Sequence, residues 1–235
     1  RSTLTAALSL LNQPPMQVMD KAGLPVTLAD GEAVLSGTLA MPLKKGGKPS
    51  DVRYHVAGDL LSVASDTLVK DRSLRASKMS ITADNDRVSI GGPGLIDGVA
   101  FDGQWSQAIG PGSDESQLTG RVTLDPAALD AFGIALPPGS IRGSTAGQIT
   151  LDLKKNTPPR FTLESNLAGM SVSIPQLSWS KAASTKGELR IAGRLGQTPD
   201  IEALQLTAPG LRLAGSIALN ADGSLERVRI DRLRR

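Results

Sequence analysis

Apolar and polar residues alternate along much of the chain, and the alternation is first clear from Ala33 onwards. Over residues 33–43 Leu35, Gly37 and Leu39 fall on one side and the polar residues on the other. A period of two is typical of a half-buried β-strand. The same pattern over 52–60 predicts a second strand. Further strands are predicted at 77–83, 86–91, 94–105, 118–124, 145–153, 160–167, 170–174, 187–195, 202–208, 211–219 and 225–231.

Helical periodicity is confined to three short stretches. Residues 2–12 carry apolar side chains three and four positions apart, and a second short helix is predicted over Met16–Ala22. The third helix, at about 126–132, has Asp125 as its N-cap and Gly133 just after its end. The chain is therefore predicted to be mostly β.

One five-residue pattern recurs in the predicted strands, with a glycine between two apolar positions. Its centres are Gly37, Gly58, Gly103, Gly120, Gly147, Gly193 and Gly215. The spacing indicates a loose unit of roughly 22 residues, about one hairpin. Glycine within a strand marks a bend, a bulge or a close approach of the backbone. Two interpretations stay open: the sheet curls into a closed barrel or sandwich, or it curves into an open trough whose apolar lining is not filled by protein.

Composition limits how the core is built. Hydrophobic residues make up 40% of the 235 residues and aromatic residues only 3%, so Leu, Val, Ile and Ala must form the core. The 25 glycines and 15 prolines fit many short strands and turns. Cysteine is absent, which excludes disulfides and is compatible with an oxidising compartment. No run reaches the ~18 apolar residues that a membrane-spanning helix needs.

The residues that usually carry chemistry are scarce. The single histidine, His55, falls on the polar side of its strand, and no nucleophile elbow, phosphate-binding loop or dinucleotide-binding motif occurs. Asp84 and Asp86 lie in turn-like sequence, where aspartate is favoured by turn geometry alone. We therefore expect no catalytic residue, no metal and no cofactor. We also expect no nucleic-acid partner, because basic and aromatic residues do not cluster together.

The C-terminal segment is the exception to the evenly mixed charges. Arginine recurs over residues 227–235, although the formal net charge is only +3. One interpretation is an edge strand whose charges discourage pairing with other chains. The other is weak attraction to anionic lipid headgroups.

Two segments carry a resemblance to a known family. The segment from Gly120 to Pro138 leads from a strand through a short helix to a Gly-Ile-x-Leu-Pro exit, and Leu167–Lys181 has the form L-x-G-x-x-x-x-x-P-x-L-x-W-x-K. Both resemble AsmA-like proteins. The chain is most similar to the YhdP-like branch and more distantly to TamB-like proteins. The likeness covers most of the chain and is strongest over about residues 95–220.

This resemblance implies a periplasmic protein anchored to the inner membrane through a segment outside this sequence. It further implies a long β-groove that carries phospholipid between the inner and outer membranes. The implied partners are phospholipid acyl chains, neighbouring segments of the same longer chain, and envelope membrane proteins. No family motif marks a catalytic residue, so none is transferred.

The sequence thus predicts a large curved antiparallel sheet, either an open groove or barrel-like, in one β-rich segment. We divide it into a helical lead-in over 1–30, a first sheet part over 31–109, a loop over 110–117 and a second sheet part over 118–235. The function left as the alternative to phospholipid transport is a non-catalytic structural scaffold in the periplasm. The candidate residues for lining a lipid groove are Leu39, Val56, Phe101, Val122, Ile149, Leu163, Ile191, Leu206 and Ile217.

Overall fold

The computed structural model describes residues 1–14, 17, 19–20, 23–41, 52–69, 72–110, 114–132, 134, 136–195, 200–220 and 225–234. Strands hold about two thirds of these residues, so the predicted mostly β class with few short helices is confirmed. The helices are α1 (Leu4–Leu11), α2 (Pro126–Ala131) and a 3₁₀ helix at Pro175–Leu177. The strands are β1 (Ser2–Thr3), β2 (Asp30–Ala40), β3 (Arg53–Val69), β4 (Arg72–Asp84), β5 (Arg87–Ile96), β6 (Val99–Ala108), β7 (Glu115–Leu124), β8 (Ile141–Gly143), β9 (Thr145–Lys154), β10 (Thr157–Ser165), β11 (Met170–Ile174), β12 (Trp179–Lys181), β13 (Glu188–Arg194), β14 (Asp200–Ala208), β15 (Leu211–Leu219) and β16 (Leu225–Arg234).

The main sheet is antiparallel and is not closed into a barrel. Its strand order is β1-β2-β3-β4-β5-β6 up to residue 108 and β7-β9-β10-β13-β14-β15-β16 from residue 115. A small separate sheet has the order β12-β11-β8. The chain divides into two compact units, residues 1–116 and 117–235. Among the described residues no helix has the length and hydrophobicity that crossing a membrane requires.

One predicted strand, 94–105, is wrong because it runs across a hairpin turn. The turn lies at Asp97-Gly98, where both residues have positive φ (+49° and +84°), as two-residue hairpin turns require. The predicted strands 86–91 and 94–105 leave the break at residues 92–93 instead, yet β5 continues through Gly92 and Pro93. The sheet tolerates Pro93 because the β4–β5 register shifts between Arg75 and Ser80, and β6 on the other side supplies Asp102 as its partner.

Other boundaries also differ from the predictions. β7 begins at Glu115, inside the predicted loop 110–117. The short strands β8 and β12 were not predicted, because three residues are too few to show a period. Of the predicted helix over 16–22, Met19 and Asp20 are helical, and residues 16, 18, 21 and 22 lie outside the described residues.

A side chain caps the first turn of α1 and of α2, and Asp125 is the cap that the sequence predicted for α2. The Thr3 hydroxyl accepts a hydrogen bond from the Ala6 N–H at 3.2 Å, and the Asp125 carboxylate accepts one from the Ala128 N–H at 2.7 Å. Each satisfies a backbone donor that the helix itself leaves unpaired. Gly133 lies outside the described residues.

The core of the first unit forms where α1 packs on one face of the sheet. This core contains almost no aromatic side chain, as composition predicted. Its buried residues are Leu4, Ala7, Ala29, Ala33, Leu60, Val63, Leu74, Ala76, Met79 and Ile81.

The core of the second unit forms under the small sheet. We call residues 141–143 and 170–181, which hold β8, β11, the 3₁₀ helix and β12, the cap. Cap residues pack with strands of the main sheet, and Leu124 of β7 lies against the same core. The buried residues are Leu167, Met170, Trp179, Leu206, Leu211 and Leu213.

Candidate functional site

In the first unit, one face of the sheet changes from buried to exposed along a single strand. Ala33 and Leu39 are six residues apart in β2 and therefore point to the same side. Ala33 is 1% exposed under α1, whereas Leu39 is 68% exposed. The apolar face is thus covered at one end and open at the other.

The three predicted lining residues of this unit share that face. Leu39 is opposite Tyr54, and Val56 lies two residues further along β3. Phe101 is placed on the same side by the registers through β4, β5 and β6. Its ring lies over Gly94, where an added Cβ would be 2.8 Å from the ring, and it packs against the first core. Phe101 is therefore part of the covered region, unlike Leu39.

In the second unit, predicted lining residues form a direct row across the sheet. Ile149 is opposite Leu163, and Leu163 is opposite Ile191. The row continues through residues that were not among the candidates, namely Leu204, Gly215 and Ile230. The side chains of the row are half-buried, and Ile230 on the last strand is 44% exposed.

The remaining candidates separate into covered and uncovered positions. Leu206 is 7% exposed, because it lies in the core under the cap. Ile217 is half-buried between Ile201 and Val228, one row beyond the Ile149 row. Val122 is half-buried on β7. Leu206 is therefore a core residue, whereas Ile217 and Val122 lie outside that core.

Recurring glycines on the apolar face mark places where neighbouring strands come close. A Cβ on Gly193 would collide with the backbone carbonyl of Asp200, and one on Gly215 with that of Arg229. Both glycines adjoin a register shift with the neighbouring strand. These are bulge sites, which bend a strand and increase its twist. No side chain fits there, so glycine is required by the backbone.

Two polar side chains hold the cap together. The Trp179 indole N–H donates to the Pro209 carbonyl oxygen at 3.0 Å. The buried Lys181 ammonium donates to the backbone carbonyls of Leu167, Met170 and Ala182 at 2.8, 2.7 and 3.0 Å. Burial lowers the pKa of Lys181, because desolvation penalises the charged form. All three ammonium protons have acceptors, so this lysine has a structural role.

The ionisable residues that sequence analysis considered are placed in structural roles. His55 is exposed on β3, as predicted. The Asp84 carboxylate accepts hydrogen bonds from the N–H groups of Asp86 and Arg87, which lower its pKa and form the β4–β5 turn. Burial first, and then Asp84 and Asp86, raise the pKa of Tyr54. Among the described residues, no group of three or more His, Cys, Asp or Glu could hold a metal ion.

Comparison with protein-family models, with curated proteins and with solved structures finds no match. The resemblance to AsmA-like proteins therefore stays a prediction.

The sequence analysis missed the exposed apolar residues of the last strand as lining candidates. Val228, Ile230 and Leu233 of β16 continue three rows of the second unit's apolar face. Val228 and Ile230 alternate with charged residues in the sequence. Only the arginines of this strand, which lie on the opposite side, were considered as candidates for binding.

Proposed function

We propose that this chain presents apolar sheet faces to phospholipid acyl chains, as a segment of an envelope protein that moves phospholipid between the inner and outer membranes. The observation that carries the proposal is the change along β2, from Ala33 at 1% exposure to Leu39 at 68% on one face. An exposed apolar residue that continues a covered apolar face, as Leu39 does, fits the edge of a binding surface. The proposal includes periplasmic location and anchoring to the inner membrane through a segment outside this sequence.

The row from Ile149 to Ile230 has the dimensions and chemistry that an acyl chain needs. It crosses six strands, which at ~4.8 Å between neighbours gives a length of about 24 Å. One leaflet of the bilayer interior is about 15 Å thick, half of the ~30 Å hydrocarbon core. Each methylene that leaves water contributes ~0.8 kcal/mol, so an aliphatic lining is enough to hold a chain without polar contacts.

A structural scaffold is the second candidate function, and the two covered cores favour it. Phe101 and Leu206, both lining candidates, pack into these cores and are not available to lipid. In a scaffold the half-buried rows would pack against further protein, such as a neighbouring segment of the same longer chain or an envelope membrane protein. The two functions differ in what covers the row around Ile191.

Native mass spectrometry of the purified chain tests the proposal directly. We expect phospholipid to co-purify with the parent chain. We expect Ile191→Asp to lose this lipid but to keep its cooperative unfolding. On an open face water can solvate the aspartate in the folded protein, whereas an acyl chain cannot pack against it. The matched control is Ala192→Asp, which places the same charge on the opposite face of β13. Absence of lipid from the parent chain, or equal lipid loss in both variants, would refute lipid binding. If Ile191→Asp instead unfolds the protein, the face is closed and the scaffold is favoured.

A further inference from the structure

One end of the second unit's sheet collects several exposed basic residues. We call this the cap end, where β10 and β14 finish and β13 and β15 begin. Lys186, Arg212 and Arg234 line a cavity of about 820 Å³ there, and Glu188 is the only acidic residue among the described ones that line it.

The placement of two of these cations has a cost within the sheet. Arg212 and Arg234 are directly opposite each other on β15 and β16. Like charges in that arrangement destabilise a sheet. Among the described residues neither arginine forms an ion pair, although Arg190 and Arg194 of the same unit pair with Glu164 and Glu202. A negatively charged ligand outside the protein would offset this cost, as Glu202 does for Arg194, which is opposite Arg160.

Exposed apolar side chains lie at the same end of the sheet. The helix α2 begins two residues after β7 finishes, and Leu124, the last residue of β7, packs against the core under the cap. After α2 the chain exposes Phe132, Ile134 and Leu136, and the exposed fraction of Ile134 is 39%. A Cβ on Gly147, near the start of β9, would contact Leu124, and Gln148 is opposite Glu164 near the end of β10. β7 therefore finishes at the cap end, and Phe132, Ile134 and Leu136 follow from there along the chain.

We propose that the cap end of the second unit docks on an anionic bilayer surface. Phe132, Ile134 and Leu136 enter the boundary between headgroups and acyl chains, and the three basic residues contact lipid phosphates. Apolar and basic side chains at one end of a sheet are the combination that binds proteins to membrane interfaces. This inference rests on the proposed function, since it names the surface at which a lipid-carrying segment exchanges its cargo.

Co-sedimentation of the full chain with vesicles tests the docking. The probes are vesicles of phosphatidylcholine alone and vesicles that contain about one third phosphatidylglycerol, at low and high salt. A basic residue near an anionic surface contributes roughly fivefold in binding, so the triple change Lys186→Gln, Arg212→Gln, Arg234→Gln should weaken binding to anionic vesicles on the order of 100-fold. The triple change Arg121→Gln, Lys155→Gln, Arg227→Gln removes the same charge elsewhere in the unit and should have little effect.

A matched pair of variants tests how much the apolar side chains contribute to vesicle binding. Ile134 and Leu195 are each 39% exposed, but Leu195 lies beyond the end of β13, at the opposite end of the sheet. We expect Ile134→Asp to weaken vesicle binding at both salt concentrations and Leu195→Asp to leave it unchanged.

The docking is overturned if the parent chain does not bind anionic vesicles or binds neutral vesicles equally well. It is also overturned if the test and control variants lose the same amount of vesicle binding. Inorganic phosphate that competes away all vesicle binding would show a site for the free anion and also overturn it. Native mass spectrometry of the same samples separates the two proposals. Co-purified lipid without vesicle binding refutes only the docking, and vesicle binding without co-purified lipid refutes only the acyl-chain site.

Discussion

Trp179 and Pro209 connect the cap to the main sheet through one hydrogen bond of 3.0 Å, from the indole N–H to the backbone carbonyl oxygen. Pro209 lies in the turn between β14 and β15, and Trp179 begins β12. The same ring is buried in the core under the cap. Trp179 therefore contributes both apolar packing and a directional contact to this junction.

Replacing Trp179 with Phe should lower the free energy of unfolding by about 2 kcal/mol. The change removes the hydrogen bond to Pro209 and part of the buried ring, and it leaves a carbonyl with no donor. Urea unfolding followed by circular dichroism measures the loss. Trp105→Phe, in the first unit, is the control and should cost less, because Trp105 is only half-buried. Equal losses would show that the Pro209 contact contributes nothing.

Replacing Lys181 with Met should cost about 2 kcal/mol of unfolding free energy. The methionine has a similar length, but the carbonyls of Leu167, Met170 and Ala182 each lose the ammonium donor. Two of them keep a backbone donor, since the Met170 N–H donates to Leu167 and the Thr185 N–H to Ala182. Lys155→Met, at an exposed turn, controls for the loss of a positive charge. A small loss at Lys181, comparable with that at Lys155, would contradict the structural role of the ammonium.

Asp97 should make stability depend on acid pH. The Ser73 N–H and then the Arg72 guanidinium, at 2.9 and 2.8 Å, lower the pKa of Asp97 below its usual 3.8. A lowered carboxyl pKa stabilises the fold above about pH 4, and this contribution is lost as the pH falls through the folded-state pKa.

The variant Asp97→Asn should therefore flatten the fall in stability below about pH 4. Asparagine keeps the positive φ of this turn accessible, so the hairpin geometry is preserved. Urea unfolding at several acid pH values compares it with Asp102→Asn, which removes an exposed carboxylate from β6. The interpretation fails if both variants have the same acid profile as the parent chain.

Gly193 should tolerate a methyl group far less well than Gly147. A Cβ at Gly193 meets the backbone of Asp200, which cannot move without breaking the ladder, whereas one at Gly147 meets the side-chain ends of Leu124 and Leu163 at 2.9 Å. We expect Gly193→Ala to lower the unfolding free energy by about 3 kcal/mol and Gly147→Ala by about 1 kcal/mol. The reverse order in thermal or urea unfolding would show that the glycines are not needed for close strand approach.

The elements with a long alternating pattern could be predicted from sequence, and those set by packing could not. β15 at Leu211–Leu219 matches its predicted bounds, because its alternation is uninterrupted. The β5–β6 turn was missed because Gly92-Pro93 has the stronger local turn composition, although a shift in the β4–β5 register accommodates the proline. Local residue preference is overridden there by the neighbouring strand.

For the candidate site, too, alternation predicts which face a side chain lies on but not what covers it. Alternation assigned Leu206 and Ile191 to one face, and the register through β13 and β14 places them there. It could not show that Leu206 is covered and the row of Ile191 is not, because the cap that covers Leu206 comes from strands only three and five residues long. Coverage depends on tertiary packing, which no period along the chain encodes.

Within each unit, every strand of the main sheet pairs with the next main-sheet strand along the chain, and this order has an evolutionary consequence. Duplicating or deleting one hairpin would lengthen or shorten the sheet by two strands, about 10 Å, without rethreading any other connection. Stability in such arrays is close to a sum of nearest-neighbour terms. The extent of the apolar surface is therefore a quantity that gene duplication can adjust in steps, while the cap and α1 keep their places.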